Sequence, residues 1–252
     1  MSEKIDFKKF YEYELTYDKS IQYKDLVISP VRMHEYLNYY IAINCLLFKK
    51  NNTADTKIIS MSYLDYLFYL INSSEDNRIY LHMLYEIFRI CCGLKYEEIK
   101  YSVDEKGKTK LYFKDIEYNK KDFDEIKRVI LYQNSPDYDD SYIDPNLEEA
   151  INEANRLSSS DGGESTLEDQ IICVMISTPL KIEDIENMTI RKFIKTVKKI
   201  DAKLHYQIDK GASMSGMVEF KQPITHWMYS KNNKFSSLIN YTSFKKKIES
   251  AK

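Results

Sequence analysis

Glycine and proline are scarce, six and five in 252 residues, so tight-turn architectures are disfavoured and a helix-rich chain is expected. Cysteine is limited to Cys45, Cys91, Cys92 and Cys173. No CxxC pair occurs and most sit in apolar runs, which reads as small buried thiols in a reduced, intracellular setting rather than zinc ligands or disulfides. Charge of one sign is missing too: 37 basic residues face 39 acidic ones, so bulk charge points to neither nucleic acid nor membrane. No apolar run approaches the ~18 to 20 residues of a membrane span. The start "MSEKIDFKKFYEYE" lacks a signal-peptide core, and a soluble cytosolic protein is expected. Repeats are absent.

The motifs of catalysis are also missing. There is no GxSxG, Walker loop or GxGxxG. "GASMSGM" is rich in small residues but does not sit between a clear strand and helix. His34, His82, His205 and His226 show neither HxH nor HExxH spacing, and no pair of carboxylates is placed for acid–base work. His205 reads as a cation beside the last turn of a helix. The expectation is a non-enzyme with no cofactor.

What is present is apolar, aromatic and periodic. Hydrophobic residues make up 43% of the chain and charged residues 30%, a globular balance. "YEYELTY" and "IQYKDLVI" read as a first hairpin. "MHEYLNYYIAINCLLFKK" reads as a mostly buried helix through Leu37, Tyr40, Ile41, Leu47 and Phe48. Two more helices follow, the second ending at Gly93. "EEIKYSVDEKGKTKLYFKDIEY" reads as a second hairpin, and "DFDEIKRVILYQN" as an amphipathic helix with Asp122 at its N-cap. Ser165 and Glu168 fit a capping box. Thr189 can cap a helix over Ile190–Ile208, whose apolar stripe runs through Ile190, Phe193, Ile194, Val197, Ile200, Leu204 and Ile208. The fold class is mainly α with two small β-hairpins (α+β) around a helical bundle-like core. The domain reading is residues 1–157 as an α+β domain, "SSSDGGES" (158–165) as a flexible linker and 166–252 as a C-terminal helical region.

In "YQNSPDYDDSYIDPNLEEA", Asp137, Asp139, Ser141 and Glu148 occupy positions 1, 3, 5 and 12 of a calcium loop. Position 6, which needs Gly, is Tyr142. The favoured alternative is a helix–loop–helix corner: Pro136 stops one helix, and Asp144 caps the next with Pro145 at its first position. No metal is assigned.

"RKFIKTVKK" reads as a solvated helix face, and nucleic acid is not expected as a partner. Phe193, Val197, Leu204, Met214, Met217, Trp227 and Met228 form the candidate partner-binding set, because aromatic and Met side chains make adaptable contact surface.

"FDEIKRVILYQNSPDYDDSYIDP", "TLEDQIICVMIST", "MTIRKFIKTVKKIDAKLHYQI" and "SMSGMVEFKQPITHWM" together resemble tail assembly chaperones, or baseplate and tail assembly proteins, of tailed bacteriophages of low-GC Gram-positive bacteria. The resemblance covers Asp122 to Met228 and, more loosely, "ELTYDKSIQYKDLVISPV". It implies a mainly helical protein of the host cytoplasm that binds phage tail proteins such as the tape-measure protein, with homo-oligomers allowed and no catalytic residues. Its alternatives are a structural tail or baseplate component of the virion and a metal- or nucleic-acid-binding regulator.

Overall fold

The computed structural model describes residues 7–50, 55–105, 107–138, 165–215, 220 and 223–229. The chain divides into two compact units, Met1–Asp140 with Leu180–Lys195, and Ser141–Pro179 with Thr196–Lys252. The expected linker, apart from Ser165, lies outside the described residues, and the expected region 166–252 contributes to both units.

The first unit opens with α1 (Phe7–Phe10) and α2 (Glu12–Tyr17), then β1 (Ile21–Tyr23) and β2 (Leu26–Ile28). The hairpin expected from Phe10 to Val31 is therefore corrected: its first half is helix, and both strands lie within "IQYKDLVI". The aromatic content of "YEYELTY" favours strand, but one buried contact by Leu15 and the left-handed Asp18 (φ 53) that stops α2 decide otherwise. Tyr23 pairs with Leu26 across a turn at Lys24 and Asp25, with Lys24 at φ 52.

The core is built by α5 (Tyr63–Ser73), α6 (Ile79–Cys92) and α7 (Lys120–Asn134). Leu84, Ile87, Phe88 and Cys91 recur at helical spacing on α6 and are buried. Gly93 ends that helix at φ 64, its N–H donating to the Arg89 carbonyl. The antiparallel strands β3 (Ile99–Val103), β4 (Thr109–Phe113) and β5 (Ile116–Tyr118) carry buried Ile99, Leu111, Phe113 and Tyr118. Phe113 meets Phe88 at 4.6 Å and Tyr118 at 4.8 Å between ring centroids. The stretch expected as the second hairpin thus holds three strands rather than two, β5 being the third. Its turn at Lys114 and Asp115 has positive φ at both central residues, the conformation that matches strand twist.

The helix read as mostly buried is also corrected. A 3-10 turn (Met33–Glu35) leads into α3 (Tyr36–Ala42) and a second 3-10 turn (Ile43–Leu46). Tyr39, Ala42, Ile43, Cys45 and Leu46 are inside, while Leu37, Tyr40, Ile41 and Leu47 are exposed. The chain tightens to three residues per turn after Ala42, which moves the inward face away from an α-helical reading. Cys45 and Cys91 are buried, Cys92 and Cys173 partly so, and all four are free thiols.

Asp122 is not the N-cap of α7. Asn119 holds that position, and Asp122 is the third residue of a capping box. The Asp122 carboxylate also pairs with Lys24 at 2.7 Å and accepts from the Tyr23 hydroxyl at 2.9 Å, tying the first hairpin to α7.

At the other end of α7, polar side chains are buried because they satisfy loop backbone. Asn134 accepts from the Val31 N–H at 2.8 Å, and Gln133 donates to the carbonyls of Lys19 and Ile28. Against this end lies the segment Leu180–Lys195, which holds α9 (Ile182–Asn187) and the start of α10 (Ile190–Met214). Thr189 forms a β-bridge with Arg32, and N–H groups of Met33 and Ile190 bond the carbonyls of Met188 and Val31, each at 2.9 Å. Arg191 is buried and donates to the Tyr132 carbonyl at 2.6 Å. Asp18 accepts from Thr189 at 3.1 Å and pairs with Lys192 at 2.6 Å. Ile185, Ile190 and Phe193 fill the apolar side of the contact.

Two outcomes follow from these anchors. Arg191→Met leaves the Tyr132 carbonyl without its charged donor and lowers unfolding stability by about 1–3 kcal/mol in urea titrations; an unchanged midpoint would show that the guanidinium holds nothing. Burial raises the Asp122 pKa, but hydrogen bonds from Lys24, the Asn119 N–H and Tyr23 outweigh it and hold the carboxyl below its ordinary 3.8. The unfolded chain thus binds more protons than the folded one between those two values. The carboxylate's stabilisation is complete above 3.8 and drains as pH falls through the lowered folded pKa. Asp122→Asn should cost about 1 kcal/mol at neutral pH, and the gap to wild type should close in acid unfolding.

Candidate partner-binding surface

α10 is helical for local reasons. Thr189 accepts from the Lys192 N–H at 3.3 Å, closing the first turn. No proline interrupts the next 25 residues, which at 1.5 Å each span about 37 Å. The helix continues past the expected end at Ile208 through "DKGAS" to Met214. His205 is therefore an interior residue rather than a last-turn cation, and it faces Asp201 at 3.2 Å.

Ile190, Val197 and Leu204 recur every seven residues, with Phe193, Ile200, Gln207 and Met214 interleaved. This is the seam of a helix that packs on another helix. Burial falls along it. Phe193 is 1% exposed and belongs to the core of the first unit, whereas Val197 and Ile200 are half-buried. Leu204 is 51% exposed, Ile208 68% and Met214 86%.

From Thr196 onward α10 belongs to the second unit, together with α8 (Leu167–Ser177) and the segment 223–229. The cap of α8 is Thr166 with Asp169, one residue later than the expected Ser165 and Glu168. Val174 is buried, while Ile172, Met175 and Ile176 are exposed.

The segment 223–229 attaches to α10 through Lys199 and Tyr206. The Lys199 ammonium donates to the carbonyls of Trp227 and Met228 at 3.0 and 3.1 Å. The Tyr206 ring meets His226 edge-on at 4.9 Å. Lys199 and Tyr206 each lie two residues beyond a seam residue, roughly 200° around the helix. The segment therefore covers the far side of α10 and leaves Leu204 and Ile208 bare.

Of the candidate set, Leu204, Met214 and Met228 are exposed, Val197 and Trp227 half-buried and Phe193 buried. Met217 lies outside the described residues. Ile208 and Tyr229, both exposed, were not in the set. Ile208 belongs to the apolar stripe read from the sequence, but nothing in the sequence signals Tyr229.

Among the metal candidates only Asp137 is described. Asp139, Ser141 and Glu148 lie outside the described residues, as does the expected start at Asp144 and Pro145. α7 does stop at Asn134, two residues before Pro136, because the residue before proline is held extended. Asp137 acts electrostatically on Arg191, where burial lowers the guanidinium pKa and Asp18 and Asp137 oppose it. Among the described residues no group of three or more His, Cys, Asp or Glu side chains could hold a metal ion, and no helix is long and apolar enough to cross a membrane. Lys127 is the one lysine with a strongly displaced pKa among the described residues. Burial pushes it down to about 8, and its ammonium sits 3.2 Å from the centre of the Tyr63 ring. The Tyr63 hydroxyl is itself occupied by the Cys45 carbonyl and the Phe48 N–H, so the pair reads as core packing.

Residues 158–232 match the family model described as the YomV second domain. That stretch holds α8, α9, α10 and the segment 223–229, and hence the whole bare seam. No curated protein and no solved structure matches the chain.

Trp227 is the sole tryptophan, so its fluorescence reports this segment alone. Lys199→Met removes both carbonyl contacts, worth about 1 kcal/mol at a half-exposed site. Trp227 emission should shift to the red and acrylamide quenching should rise while helical circular dichroism is retained. Unchanged quenching would show that the segment is held by other means.

Proposed function

We propose that this chain is a non-enzymatic protein-binding factor of bacteriophage tail assembly. In the host cytoplasm it would hold a tail component such as the tape-measure protein. The observation that carries the reading is the bare apolar seam of α10, Leu204 to Met214, on a helix whose first turn is locked into a core. An exposed apolar strip on a helix offers an incoming amphipathic helix a face to pack on. The tail-assembly context rests on the resemblance of the segments from Asp122 to Met228.

Co-expression of the full chain with tape-measure segments tests the reading. The segments should co-purify with the wild-type chain, and Leu204→Asp with Ile208→Asp should abolish capture without lowering the unfolding free energy by more than about 0.5 kcal/mol, the usual scale for surface changes. Capture unaffected by both substitutions would overturn the seam as the binding surface. Stoichiometric amounts of the chain in purified virions would replace an assembly factor with a structural tail or baseplate component.

A further inference from the structure

The seam of α10 has an electrostatic edge that constrains its occupant. Lys203 and Lys210 are seven residues apart, one position before Leu204 and Gly211, and both are exposed. They form a basic rail along one side of the exposed seam. Three other cations of α10 are engaged elsewhere: Arg191 with Tyr132, Lys192 with Asp18 and Lys199 with the 223–229 segment. Lys210 makes a distant contact with the Tyr206 ring, 5.9 Å from its centre. Of the two acids on α10, Asp201 is paired with His205.

We infer that the seam binds an acidic amphipathic helix from another protein, with its apolar residues on Leu204 and Ile208 and its carboxylates along Lys203 and Lys210. This rests on the proposed protein-binding role and names the chemistry of the partner. In paired helices the residues beside the apolar seam set partner choice through charge. A second copy of this chain fits poorly. Run parallel, Lys203 and Lys210 fall opposite Ile208 and Ser215; run antiparallel, the lysine rails face each other. Neither arrangement supplies an acid. The stretch from Val197 to Met214 spans about 26 Å at 1.5 Å per residue, which calls for a partner helix of nearly five turns.

The probe is a fluorescein-labelled synthetic peptide of about three heptads, Leu at the seam positions and Glu on both flanks; its twin carries Lys on the flanks. Like-charged flanks keep each peptide from pairing with itself. Anisotropy with the full chain should show binding of the Glu peptide and at least about tenfold weaker binding of the Lys peptide. K203E/K210E should reverse that preference, and Leu204→Asp should remove binding of both. Equal affinity for both peptides, or none for either, overturns the inference, as does a dimer in sedimentation that Leu204→Asp dissociates. If tape-measure segments still require Leu204 and Ile208 but ignore K203E/K210E, the acidic-partner inference fails while the proposed function stands. If they ignore Leu204→Asp as well, the proposed function fails too.

Discussion

The carbonyl of Tyr132 lies inside the protein near the end of a helix that has run out of its own donors. Helix ends leave carbonyls that must find partners, and this one takes a guanidinium from a segment 59 positions along the chain. A buried arginine is costly unless its charge is answered, and Asp18 and Asp137 answer it. The arrangement is reciprocal: Asp18 also takes Thr189 and Lys192, so a left-handed residue that ends α2 becomes the socket for the start of α10. The β-bridge between Arg32 and Thr189 adds backbone specificity to the same contact.

The two halves of α10 differ in character. Its seam holds Ile190, Phe193, Val197 and Ile200 first, then Leu204, Gln207, Gly211 and Met214. Here the docking of residues 189–193 buries Ile190 and Phe193, and the unbroken backbone ladder carries the same stripe onward as bare surface. The segment 223–229 does not relieve this, because Lys199 and Tyr206 hold it on the far side.

Elements with a strong period were legible in the sequence: α5 and α6, the β3–β4 hairpin, α7 with its stop before Pro136, and the stripe of α10. What was not legible has particular causes. "YEYELTY" has strand composition, and a single buried Leu15 with a stop at Asp18 makes it helix. "YYIAINCLLF" is apolar but for Asn44, so its inward face could not be told from composition once the winding tightened after Ala42. Caps were misplaced by one to three residues because Ser165, Thr166, Asn119 and Asp122 are all plausible cap types within one turn. The grip of Arg191 on Tyr132 left no local trace, since it joins residues far apart in the chain. The exposed half of the seam could be listed from the sequence, but which residues of it were bare could not.

Magnitudes bear on what kind of holder such a strip makes. Covering Leu204, Ile208 and Met214 removes side chains each worth about 1.5–3 kcal/mol when fully buried, and one face of a helix buries them only in part. Against this stands an association cost of about 4–15 kcal/mol. A contact of under five helical turns also falls within the small, transient interface class, below about 1,200 Å². The seam alone therefore favours reversible binding, with charge at the lysine rail acting mainly on partner choice and encounter rate. A permanent structural joint would need more buried area than this strip provides. On the proposed reading, that balance would favour a factor that releases its client over a component that stays with it.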